Sequence, residues 1–375
     1  MFKFMKIKGG KIRVFLQYPW RFPDSPYYKY LLSSPPEGIE YLNVARQKGA
    51  ITSAKKFWLL TRIKVNIRRI LNWLNLPIVN SHLTPSSEEY NLIHCAHCLS
   101  KNTEEPWVAD MEGVWSMFVS GFNNPIAIRR IKKTLLKKNC KMIIPWSEHA
   151  KRDILKLFPE ASKKVELVYP AVPSQKKVSS ERKDVVVFVA RDFRLKGGVV
   201  ALETMKKIKM RIPKVRCVVI SPTSRALKED YLGIEFYDLM PQKDLFKIMS
   251  QAKVFLYPSF MDTFGFTILE AMSFGVPVVA LKTSLTDSVS EIIKEGEGFL
   301  IDSEMTHRNI TKEGIDKISQ KLVEPCVKLL KDASLQKKMS KNCLKAISSG
   351  RFSINNRNKK LKKIYVEALN ENSSD

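Results

Sequence analysis

Apolar, β-branched runs alternate with stretches of helical period along the chain. KIRVFLQYP, YNLIHCAH, PWVADME, KMIIPWS and VELVYP read as strands of a first half. DVVVFVA, VRCVVISP, IEFYDL, KVFLYPS and VPVVALK read as strands of a second. Between them, segments such as EHAKRDILKLF, VVALETMKKIKMR and KDLFKIMSQA repeat their apolar positions every three to four residues, the period of a helix with one buried face. Strand alternating with helix predicts an α/β fold with parallel sheets covered by helices on both faces. Two such halves predict two doubly wound domains, over 1–172 and 173–352. The join falls in YPAVPSQKKVSSERKD, where proline, serine and charge break both periods.

Composition narrows the classes. A chain of 375 residues is too long for one ordinary core, and 44% apolar with 27% charged residues suits a folded, soluble protein. The formal charge of +27, from 64 Lys and Arg against 37 Asp and Glu, points to an anionic partner or to a general bias towards lysine. Nucleic acid, an anionic membrane face and phosphorylated substrates are the classes it admits. No run of 18 apolar residues predicts a membrane-spanning helix, and the basic start MFKFMKIKGGKIRVFLQYP lacks the apolar core of a signal peptide. The six cysteines are scattered through strand-like and helix-like contexts, which predicts reduced thiols and a cytoplasmic location.

Ligands of open α/β sheets bind beyond the carboxyl ends of the strands. There, VVVFVA runs into RDFRLKGG, so Arg191 and Lys196 stand at a strand end and Gly197 with Gly198 opens the next helix. Two cations at a helix start make an anion site, or else a solvated basic loop. KVFLYPS likewise runs into FMDTFG, and FTILEAMSF then reads as a helix closed by Gly275. Asp262 precedes that helix and Glu270 lies about two turns in. Carboxylates take paired hydroxyl bonds, and backbone N–H groups from Thr263 to Thr267 can take an anion or a hydroxyl. The plainer alternative is an N-cap at Asp262 and a surface Glu270.

The stretch VFLYPSFMDTFGFTILEAMSFGVPVVA resembles the retaining, nucleotide-sugar-dependent glycosyltransferases of family 4, the group 1 glycosyl transferases, which have the GT-B fold. FVARDFRLKGG, IIPWSEHAKRDILKLF, VELVYPAV, SEIIKEGEGFLID and RFSINNRNKKLKKIYVEAL extend the resemblance from about Lys141 to Leu369. It implies two Rossmann-like domains facing across a cleft, with the last helix, about 353–369, crossing back onto the first. It implies that Arg191 and Lys196 bind the donor diphosphate and replace a metal, so that no metal or other cofactor is expected. Glu270 would hold the ribose and Asp262 the donor sugar. Thr263, Phe264, Gly265, Phe266 and Gly197 would offer backbone to the donor, a UDP- or GDP-sugar. Glu291 has a less defined part. Asp262 stands where the family has Glu, one methylene longer, and VVISPTSRALKED lacks the family's G-x-G, so the base is unassigned.

The first half is where acceptor and membrane features are expected. From Tyr41 to Ser87 no Asp or Glu occurs, and KKFWLLTRIKVNIRRILNWLNLP interleaves cations with apolar residues. This predicts either an amphipathic helix on an anionic membrane, with Trp58, Arg62, Arg68, Arg69 and Trp73 at the interface, or a helix packed in the core. RRIKKTLLKKNCK is a second basic stretch. QYPWRFPDSPYYKYL replaces the family's glycine-rich loop and offers Asp24 as an acceptor contact. Many family members place a His in this domain. PWVADMEGVW, the equivalent region, offers Asp110 and Glu112 and no His; Glu112 would act on the acceptor hydroxyl. HCAHC is a lone C-x2-C with two histidines, too little for zinc and better read as packed thiols, with His94 or His97 facing the cleft. The expected function is retaining sugar transfer to a hydroxyl or phosphate acceptor, such as a lipid-linked sugar or a polyprenyl phosphate, at the cytosolic membrane face in glycan assembly. Two alternatives stand beside it: a nucleotide-sugar epimerase or hydrolase of the same fold, and a basic nucleic-acid or membrane-binding protein with a degenerate site. No nucleic-acid motif supports the second.

Overall fold

The computed structural model describes residues 10–18, 26–44, 54–85, 89–175 and 182–370, with the side chains of 54–58, 60, 61 and 64 outside the description. Asp24 and the Trp58 side chain therefore lie outside the described residues. The chain forms two compact units. The first runs to Ala171, apart from 52–57, and takes back the chain from Ile354; the second spans Val172–Ser353 and includes 52–57.

In the first unit the chain runs through β1 (Ile12–Gln17), α1 (Pro26–Ser33), β2 (Ile39–Leu42), α2 (Ala54–Trp73), β3 (Ser81–His82), β4 (Leu92–Ala96), β5 (Leu99–Ser100), β6 (Trp107–Met111), α3 (Pro125–Leu135), β7 (Cys140–Pro145) and α4 (Glu148–Leu157). Five strands make a parallel sheet in the order β2-β1-β4-β6-β7, and β3 pairs with β5 beside it. β4 and β6 are buried at every residue, as central strands between helical layers must be. VELVYP forms no strand: beyond the edge strand β7 it makes only a single bridge, Val165 to Ile143. The expected loop QYPWRFPDSPYYKYL is in part helix, because α1 buries Tyr27, Tyr28, Tyr30 and Leu31. RRIKKTLLKKNCK is largely α3, which buries Ala127, Ile131 and Leu135 and turns its cations outward, so it is a core-packed helix.

The second unit follows as β8 (Val185–Val189), α5 (Gly198–Arg211), β9 (Arg216–Ile220), α6 (Arg225–Asp230), β10 (Glu235–Tyr237), α7 (Gln242–Met249), β11 (Val254–Tyr257), α8 (Phe266–Ser273), β12 (Val278–Lys282), α9 (Asp287–Ile292), β13 (Gly298–Asp302), α10 (Lys312–Lys331) and α11 (Ala333–Ser348). Its six strands are parallel in the order β10-β9-β8-β11-β12-β13. Val186, Phe188, Val254, Leu256, Val279 and Leu281 point to one face, into a core shared with α5 and α10. The alternate residues face α8, over which α11 packs. The fold class is thus α/β, with two Rossmann-like sheets. α12 (Ile354–Asn370) closes the chain on the first unit, where Arg357 donates to the Ser34 carbonyl at 2.7 Å.

Candidate functional site

From β8 the chain of the second unit winds outward to β9 and β10; from β11 it winds the other way to β12 and β13. The direction reverses between β8 and β11, and a crevice opens at the carboxyl ends of strands that flank such a switch. Both loops singled out in the sequence emerge there. The β8 loop folds on itself: the Lys196 N–H donates to the Asp192 carbonyl at 3.1 Å and the Gly198 N–H to that of Phe193 at 2.7 Å. The Phe260 N–H then ties the β11 loop to the Leu195 carbonyl at 3.1 Å.

Glycine is required where the two loops touch. Gly197 has φ +71°, and a β-carbon built on it would stand 1.9 Å from the Pro258 carbonyl oxygen. Gly197 precedes α5 and Gly265 precedes α8, and neither helix has a side-chain cap. Two helix starts thus meet at one switch point with first-turn N–H groups that no side chain caps, the backbone arrangement that suits an anion.

Lys196 reaches across to the β11 loop. Its ammonium lies 3.0 Å from Asp262 Oδ2, donates to the Met261 carbonyl at 2.8 Å and stands 6.0 Å from the Tyr257 ring centre. Asp262 Oδ1 accepts the Thr263 N–H at 2.8 Å, so that donor is occupied. Arg191 is exposed just beyond β8. Glu270 is buried in α8 and accepts from Gln242 Nε2 at 2.6 Å. Gln242 opens α7, and sequence reasoning passed over it because nothing local links it to Glu270. Phe264 is buried against Phe266 and Phe352, Thr263 is exposed, and Glu291 is half-buried in α9. Gly275 has φ +67° just after α8, as the C′ reading requires.

In the first unit, Asp110 and Glu112 come with two histidines, His94 in the neighbouring strand β4 and His97 just after it. Asp110 is fully buried. Its Oδ1 accepts the Tyr28 hydroxyl at 2.6 Å and the His97 N–H at 3.1 Å, and His94 Nε2 lies 3.2 Å from its Oδ2. His94 Nδ1 in turn sits 2.6 Å from the Tyr365 hydroxyl of α12. Burial pushes the Asp110 carboxyl up, but His97, His94 and Tyr28 outweigh it and hold the group below the usual carboxylate range. The same negative site, after burial itself, pushes the Tyr28 hydroxyl up. Glu112 Oε1 lies 3.7 Å from His97 Nε2. Cys95 and Cys98 are buried thiols, and among the described residues no group of three or more His, Cys, Asp or Glu is set to hold a metal.

α2 carries an apolar stripe that faces solvent: Leu59, Ile63, Ile67, Ile70 and Trp73 are exposed, Trp73 at 83%. Arg62 and Arg69 are exposed beside it, and Arg68 is half-buried. No described helix is long and apolar enough to cross a membrane.

Comparison with known proteins bears on the second unit above all. Residues 173–345 match the model of glycosyl transferases group 1. The O-antigen chain mannosyltransferase B of Escherichia coli is 46% identical over 59 residues, 16% of each chain. The curated relatives it matches are spanned over only 16% to 42% of their own lengths. Among solved structures, a glycosyltransferase from Rickettsia africae superposes with a TM-score of 0.60 at 16% identity, over 96% of this chain and 99% of that one. An Anabaena protein solved with UDP and glucose superposes with 0.55 at 14% identity, over 94% and 98%.

Proposed function

We propose that this chain, which belongs through its second unit to the group 1 glycosyl transferases and has the GT-B fold, moves a sugar from a UDP- or GDP-sugar to a hydroxyl or phosphate acceptor with retention of configuration. The observation that carries the reading is the switch point between β8 and β11, where Lys196, Asp262 and the uncapped starts of α5 and α8 converge. The donor diphosphate lies on those N–H groups, between Arg191 and Lys196. Lys196 gives up Asp262 for a phosphate oxygen, and the freed Asp262 takes hydroxyls of the donor sugar. Glu270, already accepting from Gln242, takes the ribose. As the acceptor oxygen bonds to the anomeric carbon, the carbon–oxygen bond to phosphate breaks on the same face. The leaving phosphate takes the acceptor proton, and Arg191 with Lys196 stabilises its charge. Those two cations supply what a divalent ion would, so the reaction runs in chelator.

The exposed stripe of α2, flanked by arginines, suits an anionic membrane surface, and the acceptor is then lipid-linked. The test is thermal unfolding with UDP, GDP, ADP and their sugar conjugates in EDTA. A ligand at about a hundred times its dissociation constant stabilises the folded state by about 2.7 kcal/mol. The shift is expected with one nucleotide and is lost in Arg191→Ala and Lys196→Ala. No shift with any nucleotide overturns the donor reading.

A further inference from the structure

A cavity of about 440 Å³ opens at the carboxyl edge of the second unit's sheet. Its walls come from the β8 loop, the first turn of α5, Phe260 after β11, and the segment between β13 and α10. Val200, Phe260, Ile310 and Ile315 make those walls apolar, and Asp192, Arg194 and His307 supply polar groups. The cavity lies on the face of the sheet that α5 and α10 cover, where Phe260 joins their common core. Glu270 lies on the opposite face, in α8. Arg191, Lys196, Asp262 and Glu270 do not line the cavity, so it is separate from the nucleotide crevice. The two share a wall, because Gly197 lines the cavity and the Phe260 N–H donates to the Leu195 carbonyl at 3.1 Å, beside Lys196. The far wall is held in place locally. Thr311 caps α10 by accepting the Gly314 N–H at 3.0 Å, and Asn309 closes the turn around His307 by accepting the Thr306 N–H at 2.6 Å.

Size, walls and charge select an occupant. The volume falls within the range of about 300–1,000 Å³ that small-molecule sites occupy. The apolar walls exclude a sugar or a nucleobase, whose polar atoms would lose water and find few partners. The polar groups suit an anion. Arg194 is exposed and has no ion-pair partner among the described residues. His307 Nδ1 is shielded from solvent and has no hydrogen-bond partner among them either. Asp192 is engaged within its own loop, where its Oδ1 accepts the Leu195 N–H at 2.9 Å. A guanidinium and an imidazole together can bond a carboxylate or a phosphate monoester. We propose that the cavity is a binding site for a small amphiphile with an apolar body and one such anionic head. The body lies against Val200, Phe260, Ile310 and Ile315, and the head takes Arg194 and His307. An occupant touching Leu195 and Gly197 restrains the β8 loop, so a nucleotide arriving at Lys196 has less left to order and binds more tightly. The site stands apart from the sugar-transfer reading; only this coupling rests on it.

Hexyl phosphate, hexanoate and neutral hexanol are titrated by calorimetry into the whole protein, and the imidazole ¹⁵N resonances of His307 are followed alongside. At least one anion is expected to bind and to move those resonances, with hexanol at least about tenfold weaker. Binding of hexyl phosphate alone identifies a phosphate head, and binding of hexanoate alone a carboxylate. Hexanol binding as tightly as the anions overturns the anion site. Arg194→Gln, at an exposed position, keeps the melting temperature and weakens the anion about tenfold. Ile315→Trp fills the cavity and abolishes binding; should that variant not fold, Arg194→Gln still decides, since unchanged binding there overturns the site. Affinity for UDP or GDP then rises about fivefold or more with the amphiphile at saturation. In His307→Ala that rise is lost, while nucleotide affinity without amphiphile stays as in wild type. An unchanged nucleotide affinity overturns the coupling, and a competitive fall puts the amphiphile in the nucleotide crevice and overturns the site. If nucleotides bind and neither anion does, this inference falls alone. If an anion binds through Arg194 and no nucleotide binds, the donor reading falls and the site stands.

Discussion

Gly197→Ala separates two effects that the β8 loop combines. The first is backbone strain: an L-residue at φ +71° costs about 1–2 kcal/mol. The second is collision, because the new β-carbon would stand 1.9 Å from the Pro258 carbonyl oxygen and a real one does not approach within 3.0 Å. The loops must therefore part by at least 1.1 Å (3.0 minus 1.9), against the Phe260 N–H to Leu195 bond that joins them. Overpacking of this severity costs about 1–3 kcal/mol more. Gly233→Ala is the internal control. Its φ is +84°, but its β-carbon would meet only the end of the Lys209 side chain at 3.2 Å, which can move aside. The expected losses are about 1–2 kcal/mol for Gly233→Ala and about 2–5 kcal/mol for Gly197→Ala, read by urea unfolding of the two variants beside wild type. The difference between them measures the collision. Function should suffer beyond stability, since a displacement near 1 Å at a positioned charge can cost about 100-fold. Nucleotide-induced stabilisation should therefore nearly vanish in Gly197→Ala and persist in Gly233→Ala. Equal losses in the two variants, or an intact nucleotide response in Gly197→Ala, would refute the close approach of the loops.

Other perturbations test separate parts. Asp110 has a folded-state pKa below its unfolded value, so its ionised form contributes stability that is complete above about pH 4 and is lost as pH falls through the lower folded value. The melting-temperature gap between wild type and Asp110→Asn should close as pH falls from 5 into stronger acid; a gap that persists there contradicts the assignment. Glu270→Gln should weaken nucleotide binding about tenfold in titration calorimetry and leave a 2′,3′-dideoxynucleotide unaffected, since only the diol contact is lost. Arg68→Gln with Arg69→Gln should weaken sedimentation with phosphatidylglycerol vesicles roughly 30-fold, at about 1 kcal/mol per cation. Trp73→Ser should also weaken it and leave the melting temperature unchanged, because that side chain is 83% exposed; retained vesicle binding in both would remove the membrane from the account.

What was legible in the chain follows how local each determinant is. β8, β9, β11 and β12 are continuous apolar runs bounded by breakers, and a strand buried on both faces needs nothing more to announce itself. β13 announces itself less, because GFLID is only half-buried at the sheet edge, and so does β2, because IEYL sets Glu40 among its apolar residues. VELVYP has the composition of a strand, yet Pro170 ends it and the only neighbour it finds is β7, at one bridge. The Lys196 and Asp262 loops stood out because each carries its charges beside its own glycines; that the charges pair depends on β8 lying next to β11, which no local pattern states. The dependence on register is sharper in the first unit. Ala96 pairs with Asp110, so the residue just after β4, turned by its left-handed backbone, presents the His97 ring to the Asp110 carboxylate. A slip of one residue would carry Asp110 to the opposite face of the sheet and leave a buried carboxylate without its histidines. Such a site is therefore also a constraint on the fold: the cost of desolvating Asp110 is offset only in the register that assembles His94, His97 and Tyr28 around it.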